Sequence, residues 1–392
     1  MAPRVKPVLA SKDLPRGWAA SAARPASSRD VNTLEKKAGT RIDEILVQAV
    51  SVAGLHAQLN LIRCPDEKSA RAFQQFVAQA RGEGFSARSG CAVVEVAKCN
   101  LIFARKLRDL LGLTPDTGRY YAVRMRLGCV DRLDHGNANR VFNLLLSHGT
   151  GKEIRGHTRD WSFGTSVALW TGQRPWFRAE YTLEPAPVRE ERDREVTRFI
   201  FKDPPQLHGI PYVDVTARIR VKSAYRPSGD RPSEDLLRAT PRWSRESVQE
   251  LAGKLAPAGA TSRERVDSIL EYLCSEIRSE GGGPGSRHGV PEVLRQKHGR
   301  CWDKSDVFVT LCRSSGVPAR LIAGWVPALK AGHVWAEVYL EGEGALPVDP
   351  TTPWTGTSED YIPWFSSSDG EMPMLYLAVP EIRQEPWLPH RS

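Results

Sequence analysis

The stretch Gly299 to Arg320, GRCWDKSDVFVTLCRSSGVPAR, decides how this chain is read. Val307, Phe308, Leu311 and Cys312 recur at helical spacing and Gly316 supplies a stop, so the segment predicts a helix beginning at Cys301. A thiol at a helix N-terminus meets first-turn N–H groups that lack intrahelical acceptors, and the positive end of the dipole. Both favour thiolate over thiol. Position alone does not make a nucleophile, because a cysteine is also a small apolar residue that fits ahead of a helix.

Two later stretches add to it. In GHVWAEVYL, Gly332 to Leu340, His333 opens an alternating strand with Trp335 and Glu337 on its face and Val334, Ala336 and Val338 on the other; Gly332 is expected to leave room beside the imidazole. In PVDPTTP, Pro347 to Pro353, Asp349 ends the following strand before a Pro-Thr turn. A thiol nucleophile, an imidazole to share its proton and a carboxylate to fix the imidazole tautomer are the three roles of nucleophilic acyl transfer. The competing reading is a half-buried histidine bonded to a structural aspartate. A tight hairpin at residues 341–344 would set Asp349 opposite Ala336 or Glu337, so a bulge or wider loop is expected to shift the register towards His333.

The linked motifs Gly299-Arg300-Cys301, Leu311-Cys312-Arg313-Ser314-Ser315-Gly316-Val317-Pro318-Ala319-Arg320, Gly332-His333-Val334-Trp335-Ala336-Glu337 and Val348-Asp349-Pro350-Thr351 resemble the core of the transglutaminase-like superfamily. The resemblance runs from about Ser262 to Pro353. It implies an α+β, papain-like core, a cysteine-bearing helix packed on an antiparallel sheet, with Cys301 as nucleophile, His333 as general acid/base and Asp349 as its orienter. By the same analogy the Cys301 N–H is one oxyanion donor. Gln296, Trp302 or a residue distant in sequence is the second, and Trp335 is a candidate cleft wall. Calcium-dependent relatives use acidic clusters; the sequence has no comparable spacing, and neither metal nor cofactor is expected.

Around this core the 392 residues exceed one ordinary domain. Residues 1–40, basic and rich in breakers, read as a disordered tail, a composition an organelle transit peptide shares. Residues 41–117 read as a small α/β unit: a strand at Leu55–Leu61, a helix capped by Asp66, a strand at Cys91–Ala97 and a helix opened by Asn100. Period-two alternation over 118–225, clearest at Val213, Val215, Ala217, Ile219 and Val221, predicts a β-rich, sandwich-like domain. Residues 226–243 read as a linker, 244–380 as the catalytic domain and 381–392 as a C-terminal tail. Ser244 is expected to cap one helix, Thr261 with Glu264 to box the next, and Gly281–Gly285 to form a loop.

A formal charge of +9 invites a nucleic-acid reading, but the basic residues are scattered, with no basic helix or zinc-finger spacing; no nucleic-acid partner is expected. No run of about 18 apolar residues exists, so no membrane span is expected. Seven cysteines without CxxC pairs point to a reducing, cytoplasmic compartment. The expected function is cysteine-dependent acyl transfer on a peptide, protein or small amide through a thioester. Hydrolysis is favoured over an amine acceptor, and a non-catalytic scaffold is the rival from another class. Substrate identity and oligomeric state are not legible.

Overall fold

The computed structural model describes residues 9, 14–15, 17–81, 85–111, 118–193, 195–222, 232–280 and 287–385, and the chain divides into units Met1–Asp116 and Thr117–Ser392. The first unit runs β1 (Trp18–Ala20), β2 (Arg24–Pro25), α1 (Ser28–Ala38), β3 (Glu44–Val52), β4 (Leu55–Arg63), α2 (Glu67–Arg81), β5 (Ser86–Ser89), β6 (Ala92–Ala97) and α3 (Leu101–Leu110). Its sheet has the order β1-β3-β4-β6-β5, with β2 also on β3. Asp66 and Asn100 accept the Ser69 and Phe103 N–H groups, as their positions predict. Ala70, Phe73 and Val77 of α2 bury against Ile45, Ile62 and Val93.

The expected tail over 1–40 needs correction. Residues 18–38 hold β1, β2 and α1, and Val31, Leu34 and Ala38 pack on the core. Gln48 fastens the segment ahead of them, taking the Leu9 N–H at 3.1 Å and donating to the Leu9 and Ser21 carbonyls. Three-residue strands carry no readable period, and α1 buries no residue fully, so its apolar stripe is thin. Residues 1–8 lie outside the described residues.

The second unit continues with β7 (Arg119–Gly128), β8 (Val130–Arg132), α4 (His135–Leu146), α5 (Gly151–His157), β9 (Ser162–Phe163), β10 (Ser166–Trp170), β11 (Phe177–Glu184), β12 (Arg189–Asp193), β13 (Val196–Ile200), β14 (Gln206–Leu207) and β15 (Ile210–Val221). Then come α6 (Gln249–Leu255), α7 (Ser262–Glu276), β16 (Arg278–Ser279), α8 (Val290–Gln296), β17 (His298–Gly299), α9 (Cys301–Ser314), β18 (Ala319–Val326), β19 (Ala331–Leu340), β20 (Gly344–Val348), β21 (Ile362–Ser367), β22 (Leu375–Tyr376) and β23 (Glu381–Glu385). Val213, Val215, Ala217, Ile219 and Val221 are all buried, as alternation requires.

Three expected boundaries dissolve here. β7 pairs with β15 on one edge and with β22 and β23 on the other, so one sheet joins the 118–225 region to the C-terminal strands. Glu381–Glu385, expected as tail, is a strand held by backbone bonds to Tyr120–Arg124; with one apolar residue, Ile382, it has no hydrophobic period to read. Residues 386–392 lie outside the described residues. The expected linker is packed over its described part: Leu236 and Trp243 are buried, the Trp243 indole donates to Asp306 at 2.8 Å, and the Arg313 guanidinium lies 4.5 Å over its ring. Residues 226–231 and the expected loop at 281–285 are outside the described residues. Val248 rather than Ser244 stands at the cap of α6, whereas Thr261 and Glu264 form the box expected on α7.

In the core, β20-β19-β18-β21 form an antiparallel sheet. α9 packs against β18 and β19 and also against α6, α7 and α8. Contact on several sides explains why Asp303 to Arg313 are all buried, with even charged residues enclosed.

Candidate active site

Cys301 is the first residue of α9 and is partly exposed. Its backbone is set by Asp303, whose buried carboxylate accepts the Arg300 N–H at 3.0 Å and the His288 N–H at 2.9 Å. Burial raises the Asp303 pKa and these backbone bonds oppose the rise. The fold-back requires Gly299: a Cβ there would stand 2.7 Å from the Asp303 Cβ. The short strand β17 pairs in parallel with β16 just before the cysteine. Ser305 donates to the Val334 carbonyl at 3.2 Å and links the helix to β19.

His333 and Asp349 meet without a bulge. β19 and β20 pair regularly from Leu340↔Gly344 to Ala336↔Val348, so extension by one residue sets Asp349 opposite Trp335. His333 lies two residues along the same face. Diagonal neighbours are within reach of long side chains, and His333 Nε2 stands 2.8 Å from Asp349 Oδ2. The expected register shift is therefore unnecessary. A hydrogen bond with Cys301 also helps to set the state of the imidazole.

The surroundings explain the charges. Burial disfavours the imidazolium, but the Asp349 charge and hydrogen bond, with the Cys301 bond, outweigh it and hold the His333 pKa well above its ordinary value. Burial likewise works against the Asp349 carboxylate. His333, Tyr361 and Thr351 overcome it and hold Asp349 below the usual range. Tyr361 donates to Oδ2 at 2.6 Å, and the Thr351 N–H and hydroxyl donate to Oδ1 at 2.9 and 2.7 Å. Burial first, then Asp349, pushes the Tyr361 phenol well above its normal range, so it remains a donor. Thr351 was legible as an Asp-x-Thr turn. Tyr361 sits twelve residues downstream and carried no local signal.

The other candidates separate. Trp335 is buried and stacks on His333, ring centroids 6.1 Å apart and planes 21° from parallel, while Tyr361 meets both rings edge-on. Trp302 is partly buried beside Cys301 with the Arg300 guanidinium 5.8 Å over its ring. The Gln296 amide donates to the His298 carbonyl at 2.9 Å, a bond that fixes backbone. Glu337, on the His333 face, does not join the site: with Glu195 it pairs with Arg174 and Arg320, and Arg174 also donates to the Tyr339 hydroxyl at 2.6 Å. Gly332 makes room for Tyr376 rather than the imidazole, since a Cβ there would lie 3.1 Å from that ring. Burial pushes the Cys274 thiol up to about 11 and that of Cys312 higher still.

A thiol at a helix start stands with a buried histidine and aspartate on the adjoining antiparallel sheet, the α+β arrangement of a papain-like core. The family model described as the transglutaminase-like superfamily matches residues 249–350, so this part of the chain is similar to a transglutaminase-like core. Among solved structures, a cysteine protease candidate from Cytophaga hutchinsonii is similar at 12% identity and a TM-score of 0.42, over 68% of this chain and 90% of that one. The periplasmic domain of TgpA from Pseudomonas aeruginosa is similar at 15% identity and a TM-score of 0.32, over 61% of this chain and 92% of that one. No curated protein matched the sequence.

Proposed function

We propose that the chain is a cysteine-dependent acyl-transfer enzyme that hydrolyses an amide bond in a peptide, protein or small molecule. The observation that supports this reading is the buried His333, 2.8 Å from a carboxylate fixed by three further donated bonds and influenced by the Cys301 thiol. In the reaction the Cys301 sulfur attacks the acyl carbon, and the imidazolium delivers its proton to the leaving amine. The tetrahedral oxygen meets the first-turn amide of Cys301. Water, deprotonated by His333, then attacks the thioester and releases the acid and the thiolate. Water is the proposed acceptor because it needs no second binding site. The seven free cysteines, an odd number, support a reducing, cytoplasmic setting.

The test follows alkylation of Cys301 by iodoacetamide against pH, resolved by peptide mass. Reaction that persists well below the ordinary thiol midpoint of about 8.5 is expected, and its loss in His333→Ala. A profile like that of a free thiol, unchanged in His333→Ala, refutes the reading and leaves a non-catalytic scaffold. Trapping the acyl adduct on Cys301, with Cys301→Ala as control and with added amines, identifies the acyl group and shows whether aminolysis competes with water.

A further inference from the structure

Lys304 follows Cys301 by one turn of α9, yet it is 3% exposed. An ammonium enclosed to that degree has lost its water and is costly unless charge of the opposite sign lies near. Its Nζ donates to the Ser279 hydroxyl at 3.3 Å, a neutral partner. Ser279 belongs to β16 and pairs with Gly299, in the strand that leads into Cys301, so the amine is tied to the backbone that sets the nucleophile. The titratable groups acting on it are Cys274 from α7 and Asp349 beyond β20. Asp303, its neighbour in α9, is turned away to the Arg300 and His288 amides.

The charge balance gives this placement a purpose. With Cys301 as thiolate, His333 as imidazolium and Asp349 as carboxylate, the triad carries one net negative charge in a largely enclosed site. One ammonium makes it neutral. We propose that Lys304 is a positioning residue whose ammonium is the resident counter-charge of the catalytic ion pair, acting through Asp349 and the start of α9. This rests on the acyl-transfer reading. Burial lowers the Lys304 pKa, and the charges of Cys274 and Asp349 oppose that fall.

The experiment compares pH profiles of Cys301 alkylation in the full chain for wild type, Lys304→Met and Lys304→Arg. Readout is by peptide mass, because Cys91, Cys99 and Cys274 are also accessible in part. Removing one buried charge a helical turn from Cys301 is expected to move the Lys304→Met midpoint up by about one pH unit, with about a tenfold slower reaction near pH 6. Lys304→Arg should stay near wild type. A Lys304→Met profile superimposed on wild type, with thermal stability alone changed, overturns the proposal and leaves the lysine structural. Should Lys304→Met lose its near-ultraviolet circular dichroism, Lys304→Gln tests the same shift. If wild-type Cys301 itself titrates like a free thiol, the acyl-transfer reading fails, a result distinct from a wild-type profile that is low and a variant profile that does not move.

Discussion

Replacing Tyr361 by Phe removes one hydroxyl from the carboxylate that orients His333. The phenol donates at 2.6 Å to Asp349 Oδ2, the same oxygen that His333 approaches at 2.8 Å, while Oδ1 keeps both bonds from Thr351. Tyr361 and Asp349 are each 1% exposed, so water cannot restore the lost bond. A hydrogen bond to a charged group contributes about 1.5–3 kcal/mol. For a unit of this size that is a fall in Tm of roughly 3–5 °C. The sign with pH follows from Asp349. Its folded-state pKa is depressed, so its contribution is fully present above the unfolded value of about 3.9 and is lost as pH falls through the folded one. Tyr361→Phe lessens the depression, hence the deficit should be full at pH 7 and narrow below about pH 4. Paired thermal melts of wild type and variant between pH 3 and 8 measure it. A deficit that stays constant with pH, or that is missing at pH 7, refutes the assignment of this bond to the ionised carboxylate.

Further expectations come from the same geometry. Asp349→Asn removes the charge that holds His333 protonated, so burial takes over and the imidazolium is lost at neutral pH. Turnover of a trapped substrate should fall by about 10³–10⁴-fold with the fold retained, and a loss below tenfold would count against an orienting role. Glu337→Gln leaves Arg174 and Arg320 with one carboxylate between them in a buried cluster, and a destabilisation of about 3–5 kcal/mol is expected by denaturant titration; a change under 1 kcal/mol would show that solvent reaches the cluster.

The three candidate residues could be picked out because each stands in a local context with a physical meaning: Cys301 at a helix start, His333 on an alternating strand, Asp349 before a Pro-Thr turn. What sequence could not supply was the distance between them. Counting residues along a hairpin suggested a bulge, since it considered directly opposed pairs and not the diagonal reach that joins His333 to Asp349. Tyr361 was invisible because its link to Asp349 passes through an irregular connection with no period. Lys304 was hidden for the opposite reason: a charged residue among others in a helix reads as part of a solvated face, and its burial depends on the elements that surround α9. Domain limits failed where backbone pairing, not side-chain pattern, joins segments. β23 has one apolar residue and still completes a sheet, and residues 232–243 are held by the buried Leu236 and the Trp243 indole rather than by any hydrophobic period.

The position of β7 has a consequence for how the second unit comes together. One edge is matched by β15 during the synthesis of the first half of this unit, whereas the other is matched by β22 and β23 at its end. The Arg119 side chain meets Gln384 across 265 residues of sequence. Until that last segment leaves the ribosome, β7 has an unsatisfied row of N–H and C=O groups, the kind of edge that templates pairing with other chains. Contacts of such separation close late and slowly. Cys301, His333 and Asp349 are therefore all made while this sheet is still open along one edge of β7, and β23 is the strand that closes it.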